Sequence, residues 1–167
     1  ITYTNSNGCS EDFDITVIAG TTQTPTLTAP ATGTTGATTL QVNYTLPEAP
    51  LSGSVSLTFA PTDGSTPTVW TMANATSAIF SYAVGSNPTS IANVTSGSAL
   101  AFTTYNLTVS YQDAFSNPLA AITNTSIQTL APPVISFTED DYNGVINVLL
   151  TNIETQNSGG AIASYAI

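Results

Sequence analysis

The chain has 167 residues, ten of them acidic and none Lys, Arg or His, which gives a formal charge of −10. No side chain can clamp a phosphate as a cation, form a Schiff base or act as an imidazole base, and the uncompensated negative charge repels nucleic acid and anionic membranes. Only 6% of residues are charged, against about a quarter in average soluble domains, while 41% are hydrophobic; this excludes a disordered acidic tail and supports a packed core kept soluble by hydroxyls and amides.

The chain opens on Ile1 rather than Met, which points to a mature, trimmed or partial product, and no charged-then-apolar leader begins it. Ile1–Asn5 and Phe13–Ile18 read as two strands joined by Ser6–Asp12, a terminal hairpin lacking the rest of its sheet. Strands are then expected over 25–30, 38–46, 53–60, 67–72, 77–84, 102–112 and 119–129. The signal is alternation at period two: Leu40, Val42, Tyr44 and Leu46 share one face, as do Val55, Leu57 and Phe59, and Tyr105, Leu107, Val109 and Tyr111. Pro47–Pro50, Thr62–Ser65 and Ser116–Pro118 separate these runs with turn chemistry: Pro presets φ, Gly allows positive φ, and Asp or Asn bonds its own backbone. Between Gly85 and Ser98 an edge strand and a loop are expected, because Pro88 cannot donate within a central strand. After Ala131-Pro132-Pro133 a strand Val134–Phe137 begins, and Tyr142-Asn143-Gly144 turns into Val145–Leu150.

No window carries apolar residues at helical spacing over three turns, and no apolar run approaches the ~20 residues that span a bilayer. The chain therefore reads as all-β: one complete antiparallel β-sandwich over 21–130, flanked by an incomplete module over 1–20 and the opening strands of another over 131–167. Such flanks would be completed by each other, by a neighbouring subunit or by sequence beyond them, with Phe13, Ile15, Val17, Val145, Val148 and Leu150 as the assembly contacts.

Two acidic clusters, Glu11, Asp12 and Asp14 near the start and Glu139, Asp140 and Asp141 near the end, are calcium candidates, since Ca²⁺ takes six to eight oxygens; the alternative is solvated loop acids. No other cofactor is implied. Catalysis without His or Lys would need a carboxylate pair in a cleft. The central module offers only Glu48, Asp63 and Asp113, all in expected turns, so no catalytic residue is assigned. Asn-x-Ser/Thr sequons at Asn43, Asn74, Asn93, Asn106 and Asn124 are glycosylation candidates, with Asn43 and Asn106 on outward strand faces. The Thr-rich stretch from Thr21 to Thr39 suits O-linked sugars or simply strand formation. Trp70, near Phe80 and Tyr82 in sequence, reads as core, the alternative being a sugar-stacking platform. Cys9, the single cysteine, is either a small packed residue or a link to a cysteine elsewhere.

The run Tyr105-x-Leu107-x-Val109-x-Tyr111-x-Asp113, followed by Asn117-Pro118 and the strand from Leu119 to Gln128, resembles the last two strands of bacterial-type Ig-like and fibronectin type III modules. Ser116 stands where that family often has Gly, and Ala131-Pro132-Pro133-Val134 is similar to a fibronectin type III lead-in. The resemblance covers about residues 22–130 and implies that Asp113 bonds backbone in its hairpin. It also implies an extracellular setting on surface stalks and appendages. The expected function is that of a non-enzymatic structural module of a filament, appendage or stalk, partnered by copies of itself or neighbouring modules. An adhesin-type module that binds a glycan or host protein through its loops, with Tyr142 or Phe115 in contact, is the alternative.

Overall fold

A computed structural model describes residues 2–12, 14, 20–132, 134–140 and 145–151. The strands are β1 (Thr2–Thr4), β2 (Ser10–Asp12), β3 (Thr26–Ala29), β4 (Thr39–Thr45), β5 (Ser56–Pro61), β6 (Thr68–Met72), β7 (Ser77–Ala83), β8 (Val94–Ser96), β9 (Thr104–Tyr111), β10 (Ala120–Gln128), β11 (Val134–Asp140) and β12 (Val145–Thr151), with one 3-10 turn at Pro88–Ser90. The central region forms a three-stranded sheet, β3-β4-β7, and a five-stranded sheet, β10-β9-β5-β6-β8. Every strand pairing within them is antiparallel.

The period-two alternation produces this arrangement directly. β4 buries Leu40, Val42 and Tyr44 while Thr39, Gln41 and Thr45 face out, and β7 buries Ala78, Phe80 and Tyr82 while Ser77, Ile79, Ser81 and Ala83 face out. The inward residues of both sheets belong to one hydrophobic cluster, consistent with a two-layer β-sandwich. Its centre is aromatic: Trp70 of β6 packs on Phe59 of β5 at 4.6 Å and crosses to the other sheet to meet Tyr82 of β7 edge-on at 4.7 Å. Full burial of such side chains contributes about 1.5–3 kcal/mol each.

The bend after β3 was not expected. β3 stops at the cis Ala29–Pro30 bond, and the following residues leave the three-stranded sheet to line the edge of β10. The Gly33 amide donates to Thr125 O, Gln128 N to Thr34 O, and Ala37 N to Gln128 O, with a parallel bridge between Ala37 and Thr129. β10 itself carries a bulge between Asn124 and Ile127, where Ser126 adopts φ 57° and donates its amide to the side chain of Asn106. Covering and bulging protect an edge strand against promiscuous pairing.

Strand boundaries in the central region fall within three residues of expectation. The first hairpin differs more: Ser10–Asp12, expected in its loop, form the strand that pairs with β1, and the expected second strand Phe13–Ile18 lies outside the described residues except for Asp14. Asn5 explains the shorter loop, because its side-chain oxygen accepts from the amides of Asn7 and Cys9 and Gly8 takes φ 78°, closing the turn over 5–9. β1 with β2 and β11 with β12 each form a two-stranded sheet.

Candidate functional site

The module has two loop poles, and core residues with polar tips hold both. At the first, the β9–β10 turn meets the β4–β5 turn and the segment leading into β3. Asp113 sits at its centre, 1% exposed, with a carboxylate that accepts from the Phe115 and Asn117 amides at 3.0 and 3.1 Å and from Asn117 Nδ2 at 2.7 Å. Burial pushes the Asp113 pKa up, but the hydrogen bonds from Asn117, Phe115 and Thr22 together outweigh it and hold the carboxyl below its ordinary range. Ser116 takes φ 62° where a glycine would be unstrained, so the hairpin keeps its geometry at a conformational cost. The lead-in is tied down as well. Thr22 Oγ1 accepts from the Asp113 amide, Tyr111 Oη donates to Gln23 O at 2.8 Å, and Gln23 donates its amide and Nε2 to the Glu48 carboxylate at 2.9 and 3.2 Å. Burial, and then the charge of Glu48, raises the Tyr111 phenol above its usual pKa.

At the opposite pole the loop from Gly97 to Thr103 is held by four buried side chains. Trp70 Nε1 donates to Ser98 O at 2.8 Å, and Tyr82 Oη accepts from the Leu100 amide and donates to Ser86 O. Tyr105 Oη donates to Ala101 O at 2.9 Å, and the buried Thr129 hydroxyl binds the backbone of residue 103. Gly97 fits only because it lacks a side chain: a Cβ there would lie 2.2 Å from Trp70 Cδ1, and its φ is 152°. Trp70 is fully buried, so it is a core residue and presents no ring face to a sugar.

Among the described residues no group of three His, Cys, Asp or Glu side chains could hold a metal ion. Glu11 and Asp12 are exposed neighbours on β2 and point to opposite faces, Asp12 accepting a hydrogen bond from Thr2; Asp14 is exposed. Glu139 and Asp140 lie at the end of β11, in register with Ile146 and Val145, and Asp141 lies outside the described residues. Phe13, Ile15 and Val17 also lie outside them, while Val145, Val148 and Leu150 pair with Asp140, Phe137 and Ile135. Tyr142 is likewise outside, and Phe115 is 61% exposed beside Asp113. Cys9 is a free, exposed thiol.

Of the acids in the central module, Glu48 binds Gln23, Asp63 caps its own turn by accepting from the Ser65 amide, and Asp113 binds its own hairpin. The sequons differ in what their side chains do. Asn74 is exposed, accepts from the Gly53 amide and donates to Ser52; Asn93 is half-buried at φ 71°; Asn43 is half-buried on β4. Asn106 covers the β10 bulge, and Asn124 Nδ2 donates to both Leu27 O and Pro30 O, tying β10 to the bend after β3. Sequence reading missed these ties, and with them Thr22 and Gln23, because a side chain bonded to backbone far along the chain leaves no periodic trace.

A groove of about 330 Å³ lies at that bend, lined by Thr28–Ala31, Thr34, Ala37 and Thr39–Gln41, with no titratable side chain. No described helix is long and apolar enough to cross a membrane. No family profile, curated protein or solved structure matches the chain.

Proposed function

We propose that the chain is a non-enzymatic structural module of an extracellular filament, appendage or surface stalk, built to be joined in series. One observation supports this most: the two ends of the central module are clamped at opposite poles. Thr22 is fastened at the β9–β10 turn, whereas Leu130 leaves beside the start of β9, where Gln128 pairs with Thr104 and Thr129 bonds Thr103. The nine residues of β10 separate these points, about 30 Å at ~3.3 Å per residue. A pull on the chain then runs along the strands, the direction in which ladder hydrogen bonds share the load.

The fold type belongs to the same proposal. Counted from β3 and leaving out the short β8, strands one, two and five form one sheet and strands three, four, six and seven the other, the Ig-like and fibronectin type III pattern with an extra strand beside the third. Tyr105 near the start of β9, bonding Ala101 four residues upstream, is the tyrosine corner such sandwiches carry. On this reading the two-stranded sheets at the flanks are completed by strands of neighbouring modules or copies, through strand complementation or end-to-end contact. Calcium at the acidic clusters, and glycans at the sequons other than Asn124, whose amide nitrogen is committed to Leu27 O and Pro30 O, belong to the same proposal.

The competing reading is an adhesin module whose loops bind a glycan or a host protein, with exposed Phe115 and Leu119 beside the first pole as its favouring observation. Light scattering over a concentration series, with a glycan array run on the same sample, separates the two. A structural subunit self-associates and leaves the array blank; a monomer that binds one glycan class overturns the structural reading.

A further inference from the structure

The lead-in to β3 has fastenings of its own, separate from the pairing of β3 with β4. β3 has four residues and a register shift against β4 between Leu27 and Ala29. Just ahead of it, Thr22 and Gln23 are bonded to three separate parts of the module: the β4–β5 turn through Glu48, β9 through the Tyr111 hydroxyl, and the β9–β10 turn through Asp113 and Asn117. Thr22 is buried, at 8% exposure, although it precedes the first strand of the sandwich. Two of these bonds end on a carboxylate, and charge-assisted bonds are roughly twice as strong as neutral ones.

We propose that Thr22 and Gln23 form a strap that carries a pull arriving from the N-terminal side into β9 and the two turns before β3 is loaded. This rests on reading the module as joined in series. Without the strap, tension would reach the short, irregular β3 first and strip it from β4, opening the core beneath Leu27. With it, the load enters through β9, the strand paired on both sides by β5 and β10. The strap also fixes the direction in which the preceding residues leave the sandwich.

Single-molecule stretching of the whole chain tests this, with one handle on the native Cys9 thiol, which is free and exposed, and the other at the C-terminal end. Tyr111→Phe removes only the strap hydroxyl and keeps the buried ring, and Glu48→Gln removes the charge. Each is expected to speed unfolding at fixed load about fivefold, the rate equivalent of one net hydrogen bond. Moving the handle to residue 24, as Thr24→Cys in a Cys9→Ser background, bypasses the strap. The unsubstituted strap should then give the faster rate, and Glu48→Gln should add nothing. Equal rates from the two attachment points, or no change in either variant pulled from Cys9, overturn the strap and leave the series reading standing. Unfolding at the lowest resolvable force from both points overturns the series reading itself.

Discussion

The residues that matter most in this chain are large side chains with one polar atom. Trp70, Tyr82, Tyr105 and Tyr111 each bury a ring and extend a donor to a loop carbonyl, so a single residue both fills the core and fixes a connection. Tyr44 is the exception: it is fully buried, its hydroxyl has no partner, and burial pushes its pKa up to about 12. An orphaned buried hydroxyl destabilises a fold, so Tyr44→Phe should raise stability by about 1 kcal/mol in urea unfolding. The raised pKa has its own signature. Its contribution is intact below the unfolded tyrosine value near 10 and disappears as pH rises through about 12. Alkaline unfolding across that window should therefore weaken in Tyr44→Phe. Gly97→Ala should act the other way, losing about 1–3 kcal/mol as the new methyl drives into the Trp70 ring. Tyr44, Tyr105 and Tyr111 were legible in the sequence as inward-facing members of alternating runs, and Trp70 as core from its residue type. Their polar ties were not, because Tyr111 and Gln23 are joined across 88 positions of chain.

At the scale of elements, the strands followed from alternation, and the turns from Pro, Gly, Asp and Asn. What escaped was everything set by an individual side-chain bond. Asn5 closes the first hairpin's loop ahead of Ser10–Asp12, and the residues from Ala31 to Ala37, rich in Thr and Gly, carry no period-two signal yet line β10 through backbone bonds. Asn124 secures that bend, and Asn124→Ala should cost about 2 kcal/mol, since it strips two carbonyls of their donor. Ser116→Gly relieves a left-handed residue and should stabilise the β9–β10 hairpin by up to about 1 kcal/mol in thermal melts. The candidate calcium residues were chosen as acidic clusters in the sequence and the assembly residues as apolar positions on the end strands, of which Val145, Val148 and Leu150 lie on β12, paired with β11.

For the whole molecule, a chain with no cation cannot balance its carboxylates by ion pairs; Asp113 is held by hydrogen bonds instead. Because its pKa is lowered in the fold, its contribution is present above the unfolded Asp value of about 3.9 and is lost as pH falls through the lower folded value. Acid unfolding should begin below about pH 4 and be blunted in Asp113→Asn, which keeps the hairpin's shape without a titrating group. Clamped poles and a core shared by two sheets are the features on which the proposed series-linked module rests. Electron microscopy of the native material, with the chain traced through successive units in the map, tests that most directly. The account predicts a filament or stalk in which the chain crosses each sandwich from the Asp113 pole to the Thr129 pole and flanking strands complete their sheets against neighbours. Isolated particles, with both flanks satisfied inside one copy, would contradict it.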